Sequence, residues 1–493
     1  MKSISAGLLT SNETLQNNNF AISKSAFSSL LFIFGIAFLM LFTACDSLKK
    51  VPQPDKPKEE NEELEEIQGK RVFNPETGTY EVVTDVTGDL DTIQWIPAGE
   101  EVAPPITSEA TGRAEENTTF LDNYKMVLAL PFLADKYNAA EDRIDRRSIP
   151  ALNFYEGAKM ALDVLSGEGA NLEISVLDTR ASQGTVMQLT NNFDLETANL
   201  VIGTFRNSTA RAMAEFAKRR EIPFVSPYFP HQNLVTDNEF FIQINPSERT
   251  HAEAIMKHAK ERFRPNQIVI FGRNDPQERE IMQFYSDAHF AIEGGTFADS
   301  IRMVYLDDDV AALDQLKFDE YMDEINTTAF IIASSSQSFV YAMLRNIDLE
   351  KEDRSVVVYG QPRWKDFTQI SYELYETMNV HISSEYYLNP NDVAIQTFKE
   401  NFYNKYGMPP TVEAFKGYDT ALYFGRLMQE YGTGFRYKLD QSPKNALHTQ
   451  FDIQRTVTRP RSVEGEALDR FDQFMNKHLN ILEFSGYQFR KAD

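Results

Sequence analysis

Short apolar runs alternate with longer stretches of helical periodicity from residue 124 onward, and this alternation constrains the fold more than any other feature. A helical stretch at residues 149–165, for example, separates the first two runs. Such alternation is typical of βαβ units, whose parallel strands are buried between layers of helices. Because the pattern restarts at residue 267, the sequence predicts two similar α/β halves. The strand-length runs are residues 126–131, 172–177, 200–203, 222–225, 267–272, 328–333 and 355–360.

The charge balance of the chain excludes one broad class of partner. Among 493 residues, 49 Lys and Arg stand against 73 Asp and Glu, a formal net charge of −24. A field of this sign repels polyphosphates and anionic lipid headgroups. We therefore expect no nucleic-acid partner.

The only cysteine, Cys45, follows a basic amino-terminal region and an apolar run at residues 27–42. A basic region, an apolar core and small residues in this order are typical of an export signal. The stretch LFTAC resembles a bacterial lipobox, with Phe42 where Leu is usual. An uncleaved membrane helix is the alternative, but the run falls short of the ~20 apolar residues that a bilayer needs. We expect residues 1–45 to be a signal whose Cys45 is lipidated, anchoring an extracytoplasmic, periplasmic domain to one of the envelope membranes.

Two polar stretches and a short β segment precede the α/β halves. Residues 46–70 are rich in Pro, Lys and Glu, so they are expected to form a disordered acidic linker. Residues 71–120 are predicted to hold a small β segment, with a turn at residues 74–78, and a second linker.

Several segments, in order along the chain, resemble the type I periplasmic binding proteins of the leucine/isoleucine/valine-binding kind. The resemblance implies an α/β fold of two lobes, each a doubly wound, mostly parallel sheet, joined by hinge crossovers. It places residues 124–243 plus 385–435 in a first lobe and residues 244–384 plus 436–493 in a second. The segments are MVLALPFLAD, LNFYEGAKMAL, ISVLDT, LVIGTFRNSTARAMAEFAKRREIPFVSP, FFIQINPSERTHAEAIMKHA and FKENFYNKYGMPPTVEAFKGYDTALYFGRLM.

The resemblance also implies a ligand site between the lobes. In the family, the loop after the third strand grips a ligand carboxylate, a role that would fall on Asn207, Ser208 and Thr209. Ordinary helix capping needs the same residue types, so both interpretations stand. Ser226 and Tyr228 match the family's second binding loop, and a half-buried surface tyrosine is the alternative for the latter.

The second lobe offers weaker candidates. The family's aromatic residue and glycine after the strand at residues 267–272 are absent, and Asp275 stands there as an ammonium partner or as part of a plain turn. Glu376 lies near the place of the family's ligand-binding acid. Ser335 and Trp364 are candidates by their positions after strands, with a solvated loop as the alternative.

Motifs of enzymes, cofactor sites and metal sites are absent from the sequence. We therefore expect no catalysis, no cofactor and no metal. The first hypothesis is a receptor for a small polar solute, an amino acid or a related molecule, that serves an ABC-type membrane permease. The second is a cell-envelope scaffold or regulator that reuses the same fold to contact another protein.

Overall fold

The computed structural model describes two units of the chain, one within residues 1–98 and the other within residues 99–493. The described residues are 70–74, 79–83, 118–141, 143–228, 237–292, 301–306, 313, 316–456 and 473–492. The signal residues 1–45 with Cys45, nearly all of the first linker and the second linker up to residue 117 lie outside these ranges.

The smaller unit contains a β-hairpin. Strands β1 (Lys70–Asn74) and β2 (Thr79–Val83) pair antiparallel, with Asn74 opposite Thr79. This pairing confirms the prediction of two strands on either side of a turn, which rested on β-branched and aromatic residues flanking an Asn-Pro pair.

The first lobe is built on a seven-stranded sheet of order β15-β16-β7-β6-β5-β3-β4. Strands β3 to β7 and β16 run parallel, and only β15 is antiparallel to its neighbour. Most of these strands are buried apolar runs, as expected for a sheet covered on both faces. The strands are β3 (Tyr124–Leu130), β4 (Leu172–Asp178), β5 (Leu200–Gly203), β6 (Phe224–Ser226), β7 (Phe241–Gln243), β15 (Ile453–Thr456) and β16 (Gln473–Asn476).

The second lobe has its own seven-stranded sheet, of order β18-β17-β12-β11-β10-β8-β9. Strands β8 to β12 are parallel, and the hairpin of β17 and β18 adds an antiparallel edge beside β12. The strands are β8 (Ile268–Arg273), β9 (Arg302–Leu306), β10 (Thr328–Ile332), β11 (Val356–Gly360), β12 (Val380–Ser384), β17 (Asn480–Ser485) and β18 (Gln488–Lys491).

Helices cover both faces of each sheet and bury apolar cores against them. In the first lobe they are α1 (Ile149–Gly167), α2 (Gln183–Leu189), α3 (Phe193–Glu196), α4 (Asn207–Arg220), α9 (Val393–Tyr406) and α10 (Val412–Tyr431). In the second lobe they are α5 (Glu248–Lys260), α6 (Pro276–Ile292), α7 (Gln337–Lys351) and α8 (Tyr372–Thr377). Short 3-10 helices span Ala134–Lys136, Arg146–Ser148, Pro265–Gln267, Phe318–Tyr321, Pro362–Asp366 and Gly432–Gln441, and β13 (Lys444–Asn445) pairs with β14 (Gln450–Phe451).

The chain passes between the two lobes three times, after β7, after β12 and after β16. The expected division assigned residues 436–493 to the second lobe, and the structure corrects it. Strand β16 pairs with β7 in the first sheet and β15 pairs with β16, so the chain leaves the first lobe only after Asn476. The physical reason is the parallel pairing of two short strands that lie far apart in sequence, which no local pattern reveals.

Candidate functional site

The carboxyl edge of the first sheet carries a row of buried polar side chains. In open α/β sheets this edge is where ligands bind. The residues at the ends of four strands there have exposures of 0–1%, and each has a side-chain oxygen without a hydrogen-bond partner among the described residues. Buried polar atoms are almost always hydrogen-bonded, so four together form a set of donors and acceptors suited to a ligand. They are Thr179 after β4, Thr204 after β5, Ser226 at the end of β6 and Gln243 at the end of β7.

Three aromatic rings line the same edge. Phe132, Phe205 and Tyr228 each lie two residues beyond the end of a strand and are only partly buried. The rings of Phe205 and Tyr228 pack with centroids 4.3 Å apart, and Phe154 of α1 lies 5.5 Å from Phe205. The hydroxyl of Tyr228 is buried and has no partner in the described part of the chain. The edge therefore combines an apolar wall with polar groups.

Charged residues from both lobes and from the crossovers meet beside Tyr228. We call them the cleft cluster. Its members are Tyr228, Lys365, Glu385, Tyr386, Lys416 and His448.

Lys416 of α10 is the most buried charge in the cluster, with 2% of its surface exposed. Its Nζ donates to Oδ1 of Asn245 at 2.7 Å and lies 3.5 Å from the carbonyl oxygen of Pro227. The same nitrogen lies 4.5 Å from the centre of the Tyr228 ring. Burial lowers the pKa of Lys416, and the negative charge of Glu385 opposes that effect.

Glu385 directly follows β12 and faces Lys365, with Oε2 and Nζ 3.9 Å apart. The Lys365 ammonium also lies 4.2 Å from the ring centre of Tyr386. Burial alone would raise the pKa of Glu385, but the positive charges of Lys416 and Lys365 outweigh it and lower the pKa to about 2. Glu385 is therefore ionised at neutral pH.

Two histidines, His448 of the cluster and His251 beside it, are neutral at pH 7. His448 is 4% exposed and stacks on Tyr386 with ring centroids 4.2 Å apart; burial and then the charge of Lys416 lower its pKa well below the usual value. His251 of α5 has Nδ1 2.8 Å from the hydroxyl of Ser383, and burial lowers its pKa to about 4. Lys365 and Lys416 both act on Glu385, and Glu413 also acts on Lys416, so two glutamates stand against the two lysines here.

The three residues predicted to grip a carboxylate lie at the start of α4. Asn207 and Ser208 are exposed, whereas Thr209 is buried and donates its hydroxyl to the carbonyl oxygen of Arg206 at 2.8 Å. No side chain caps the first turn of this helix. Their predicted binding role therefore stays a prediction.

Ser226 and Tyr228 lie together in the candidate site, on either side of Pro227. Ser226 is fully buried at the end of β6, and its hydroxyl, like that of Tyr228, has no partner among the described residues. Of the predicted residues, these two contribute directly to the row of polar groups and to the cleft cluster.

Asp275 caps helix α6, since its Oδ1 accepts from the backbone N–H groups of Gln277 and Glu278 at 3.0 and 3.1 Å. Its other oxygen lies 3.5 Å from Arg273. These contacts are the ones expected if Asp275 is part of a plain turn. Ser335 is exposed just beyond β10, at the carboxyl edge of the second sheet.

Trp364 lies in the core of the second lobe, which corrects the expectation that it lines the cleft. It has no exposed surface, its Nε1 donates to the carbonyl oxygen of Ser334 at 2.9 Å, and its ring stacks against Tyr375. The indole covers Gly360, where a side chain would collide with the ring. Complete burial of a ring this large removes much apolar surface from water. Trp364 therefore packs in the core, although its position after a strand suggested the cleft.

Glu376 is also misplaced by the sequence prediction. It lies on α8, before β12, and so at the opposite end of that strand from the carboxyl edge. Its carboxylate accepts from the backbone N–H groups of Gly486 and Tyr487, at 3.0 and 3.2 Å, in the turn between β17 and β18. The acidic residue that reaches the cleft cluster is Glu385 instead.

Sequence reasoning missed Glu385 and Lys416. A signal existed for Glu385, because it follows the strand-like run VHISS as directly as the predicted residues follow theirs. Lys416 gave a weaker signal, a lysine between Phe415 and Gly417 on the buried face of a helix.

Within the described residues, no cluster of His, Cys, Asp and Glu could hold a metal ion, and no helix has the length and apolar character to cross a bilayer.

Comparisons with known proteins agree with this architecture. Residues 149–442, more than half of the chain, match the family model described as periplasmic binding protein. None of the curated proteins matches the sequence.

Solved structures share the fold at low sequence identity. An ABC transporter substrate-binding protein from Desulfitobacterium hafniense in complex with Leu is 17% identical, with 75% of this chain and 100% of that chain covered and a TM-score of 0.50. A putative branched-chain amino acid ABC transporter protein from Rhodospirillum rubrum is 15% identical, with the same coverage and a TM-score of 0.55. Full-length LpoA from Haemophilus influenzae is 10% identical, with 77% of this chain and 60% of that chain covered and a TM-score of 0.50.

These identities establish the fold alone, whereas the family match covers most of both lobes. The family implies an extracytoplasmic location. With its two doubly wound sheets and three crossovers, this chain belongs to the periplasmic binding protein family, in the two-lobed type I form.

Proposed function

We propose that this chain is an extracytoplasmic solute-binding protein that captures a small polar ligand between its lobes and catalyses no reaction. One observation carries the proposal: the buried side-chain oxygens of Thr204 and Ser226 lie at neighbouring strand ends without partners among the described residues. Leaving a buried polar group unpaired costs about 1–3 kcal/mol. A ligand that bonds to these hydroxyls removes that cost, so it binds preferentially to the conformation that encloses it.

We further propose that lipid on Cys45 holds the protein at a bacterial membrane. This cysteine lies outside the described residues, and the support is its place after an apolar run in the lipobox-like stretch LFTAC. A multiply acylated amino terminus buries enough methylene groups to make such anchoring effectively permanent. A permease in the same envelope would be the partner that recognises the closed form.

Thermal unfolding of the purified full-length chain, in mild detergent, tests the binding function. The panel contains amino acids, small peptides and small organic acids. A ligand at ~100 times its Kd stabilises the folded state by about 2.7 kcal/mol, so at least one compound should raise Tm by several degrees. A flat response across the panel contradicts solute binding.

The alternative is a cell-envelope scaffold or regulator that contacts another protein. It is favoured by the contacts of Asp275, which caps a helix where the family places an aromatic residue and a glycine for the ligand. For that function, a flat thermal response should coincide with specific cross-linking of the cleft residues to one envelope protein in intact cells.

A further inference from the structure

Lys416 is a buried lysine on which Glu385 and Glu413 act, but only from beyond salt-bridge distance among the described residues. Its two oxygen contacts are the amide oxygen of Asn245 at 2.7 Å and the carbonyl oxygen of Pro227 at 3.5 Å. No Asp or Glu oxygen of the described residues lies within 4.0 Å of its Nζ. An ammonium group has three protons to donate and is costly to bury unpaired, so an added carboxylate would compensate its desolvation.

Glu385 is the acid that could bind a ligand's amino group, but it already interacts with lysines. Glu385 faces Lys365 at 3.9 Å and lies in the field of Lys416 as well. An ammonium group of a ligand would have to compete with both lysines for the carboxylate of Glu385. A negative group beside Lys416 would meet no such competition, so this position favours it over a positive group.

Buried hydroxyls without partners among the described residues lie next to Pro227, the residue that Lys416 contacts. Pro227, whose carbonyl oxygen contacts Lys416, lies between Ser226 and Tyr228, and both of their hydroxyls are buried without a partner among the described residues. Thr204 adds a third such hydroxyl from the neighbouring strand end. Charge-assisted hydrogen bonds from these groups would hold a carboxylate more strongly than a neutral oxygen.

The rings of Phe132, Phe205 and Tyr228 provide the other half of the site. Each is partly buried and lies at the carboxyl edge of the first sheet. Such rings bind the apolar body of a small ligand while the polar groups set its orientation.

We propose that the cleft selects a small carboxylate with an apolar body and no free amino group, and that Lys416 is the residue that determines this specificity. The inference rests on the proposed solute-binding function. It departs from the expectation of an amino-acid ligand, because Lys416 has no carboxylate oxygen within 4.0 Å among the described residues, whereas Glu385 lies in the field of two lysines.

Isothermal titration calorimetry of the full-length chain with matched probes tests the inference. Each pair differs only in the amino group: 4-methylpentanoate against leucine, and 3-phenylpropanoate against phenylalanine. The carboxylate of at least one pair should bind at least tenfold more tightly than its amino acid. If neither carboxylate binds at least tenfold more tightly than its amino acid, the specificity inference is overturned, whereas solute binding stands if any compound binds.

A charge-removing variant tests the role of Lys416. Lys416→Met removes the charge, leaves a side chain one atom shorter and should weaken binding of the carboxylate probe at least tenfold. Lys399→Met, at an exposed position of α9, is the matched control and should leave the affinity unchanged. Unchanged probe affinity in folded Lys416→Met overturns the assignment of this lysine. The wild-type comparison needs no variant, so it decides the specificity even if Lys416→Met does not fold.

The measurements distinguish failure of the solute-binding proposal from failure of carboxylate selection. If no probe of either series binds the unaltered chain, and the thermal panel is flat as well, both solute binding and carboxylate selection are overturned. Binding by amino acids alone overturns only the selection.

Discussion

Gly417 of helix α10 lies directly against the backbone carbonyl oxygen of Phe154 in helix α1, so that a β-carbon added to the glycine would overlap this oxygen. Gly157 of α1 makes the reciprocal approach to the carbonyl oxygen of Ala414. Two glycines thus allow the helix backbones to touch. Because Lys416 adjoins Gly417, this crossing also sets how deeply the lysine is buried.

Gly417→Ala should lower the free energy of unfolding by about 1–3 kcal/mol, because the added methyl group forces two backbones apart. Urea denaturation measures the change. Gly167→Ala, at the end of α1, is the control, since its added methyl group would meet no heavy atom within 4 Å and the unfolded chain loses entropy. Equal stability of Gly417→Ala and wild type would contradict the close crossing.

Acidification should destabilise the second lobe through His258. Its Nδ1 lies 2.9 Å from the Tyr359 hydroxyl, and burial, then the charges of Arg262 and His381, lowers its pKa to about 4. In the unfolded chain the pKa returns to about 6.5. Between these values the unfolded state binds the extra proton, so stability is present above pH 6.5 and is lost as the pH falls toward 4.

For this side chain, the expected loss of unfolding free energy between pH 7 and pH 5 is about 1 to 2 kcal/mol. His258→Gln removes the titration and should flatten the dependence by that amount, as measured by urea denaturation at several pH values. A slope identical to that of the wild type would show that His258 is not held neutral.

Glu376→Ala should lower stability by about 1 kcal/mol and leave ligand affinity unchanged. The reason is that its carboxylate accepts from Gly486 and Tyr487 in a hairpin turn, away from the cleft cluster. Glu373→Ala on the same helix is the control for loss of an exposed acid. A large loss of ligand affinity with unchanged stability would show that Glu376 contributes to the ligand site.

The parts of the fold that depend on local pattern could be predicted from the sequence. The run at residues 200–203 became β5 without a shift, and the buried runs that became β10 and β11 were recognised within a residue or two. Strands β15 and β16 were missed because they are only four residues long, and they join the first sheet through the pairing of β16 with β7 and of β15 with β16.

The candidate site was predictable only in part, for a related reason. Ser226 and Tyr228 follow a recognisable strand, so their place at the carboxyl edge could be inferred. Glu376 was misplaced because its role was taken from the resemblance, although it precedes β12 and so lies at the amino end of that strand. Trp364 was misplaced because the sequence does not tell whether a ring after a strand turns into the core. Lys416 comes from a distant helix, and only the tertiary packing of α10 brings it to Tyr228.

The most direct test of the ligand site is the melting temperature of a Thr204→Val, Ser226→Ala double variant with and without the ligand identified in the panel. Both changes replace unpartnered buried hydroxyls by apolar groups of similar shape, so we predict an unliganded Tm equal to or above that of wild type. We also predict loss of the ligand-induced shift, whereas Thr368→Val, at an exposed position, should retain it. A double variant with lower unliganded Tm and an undiminished ligand-induced shift would contradict the account.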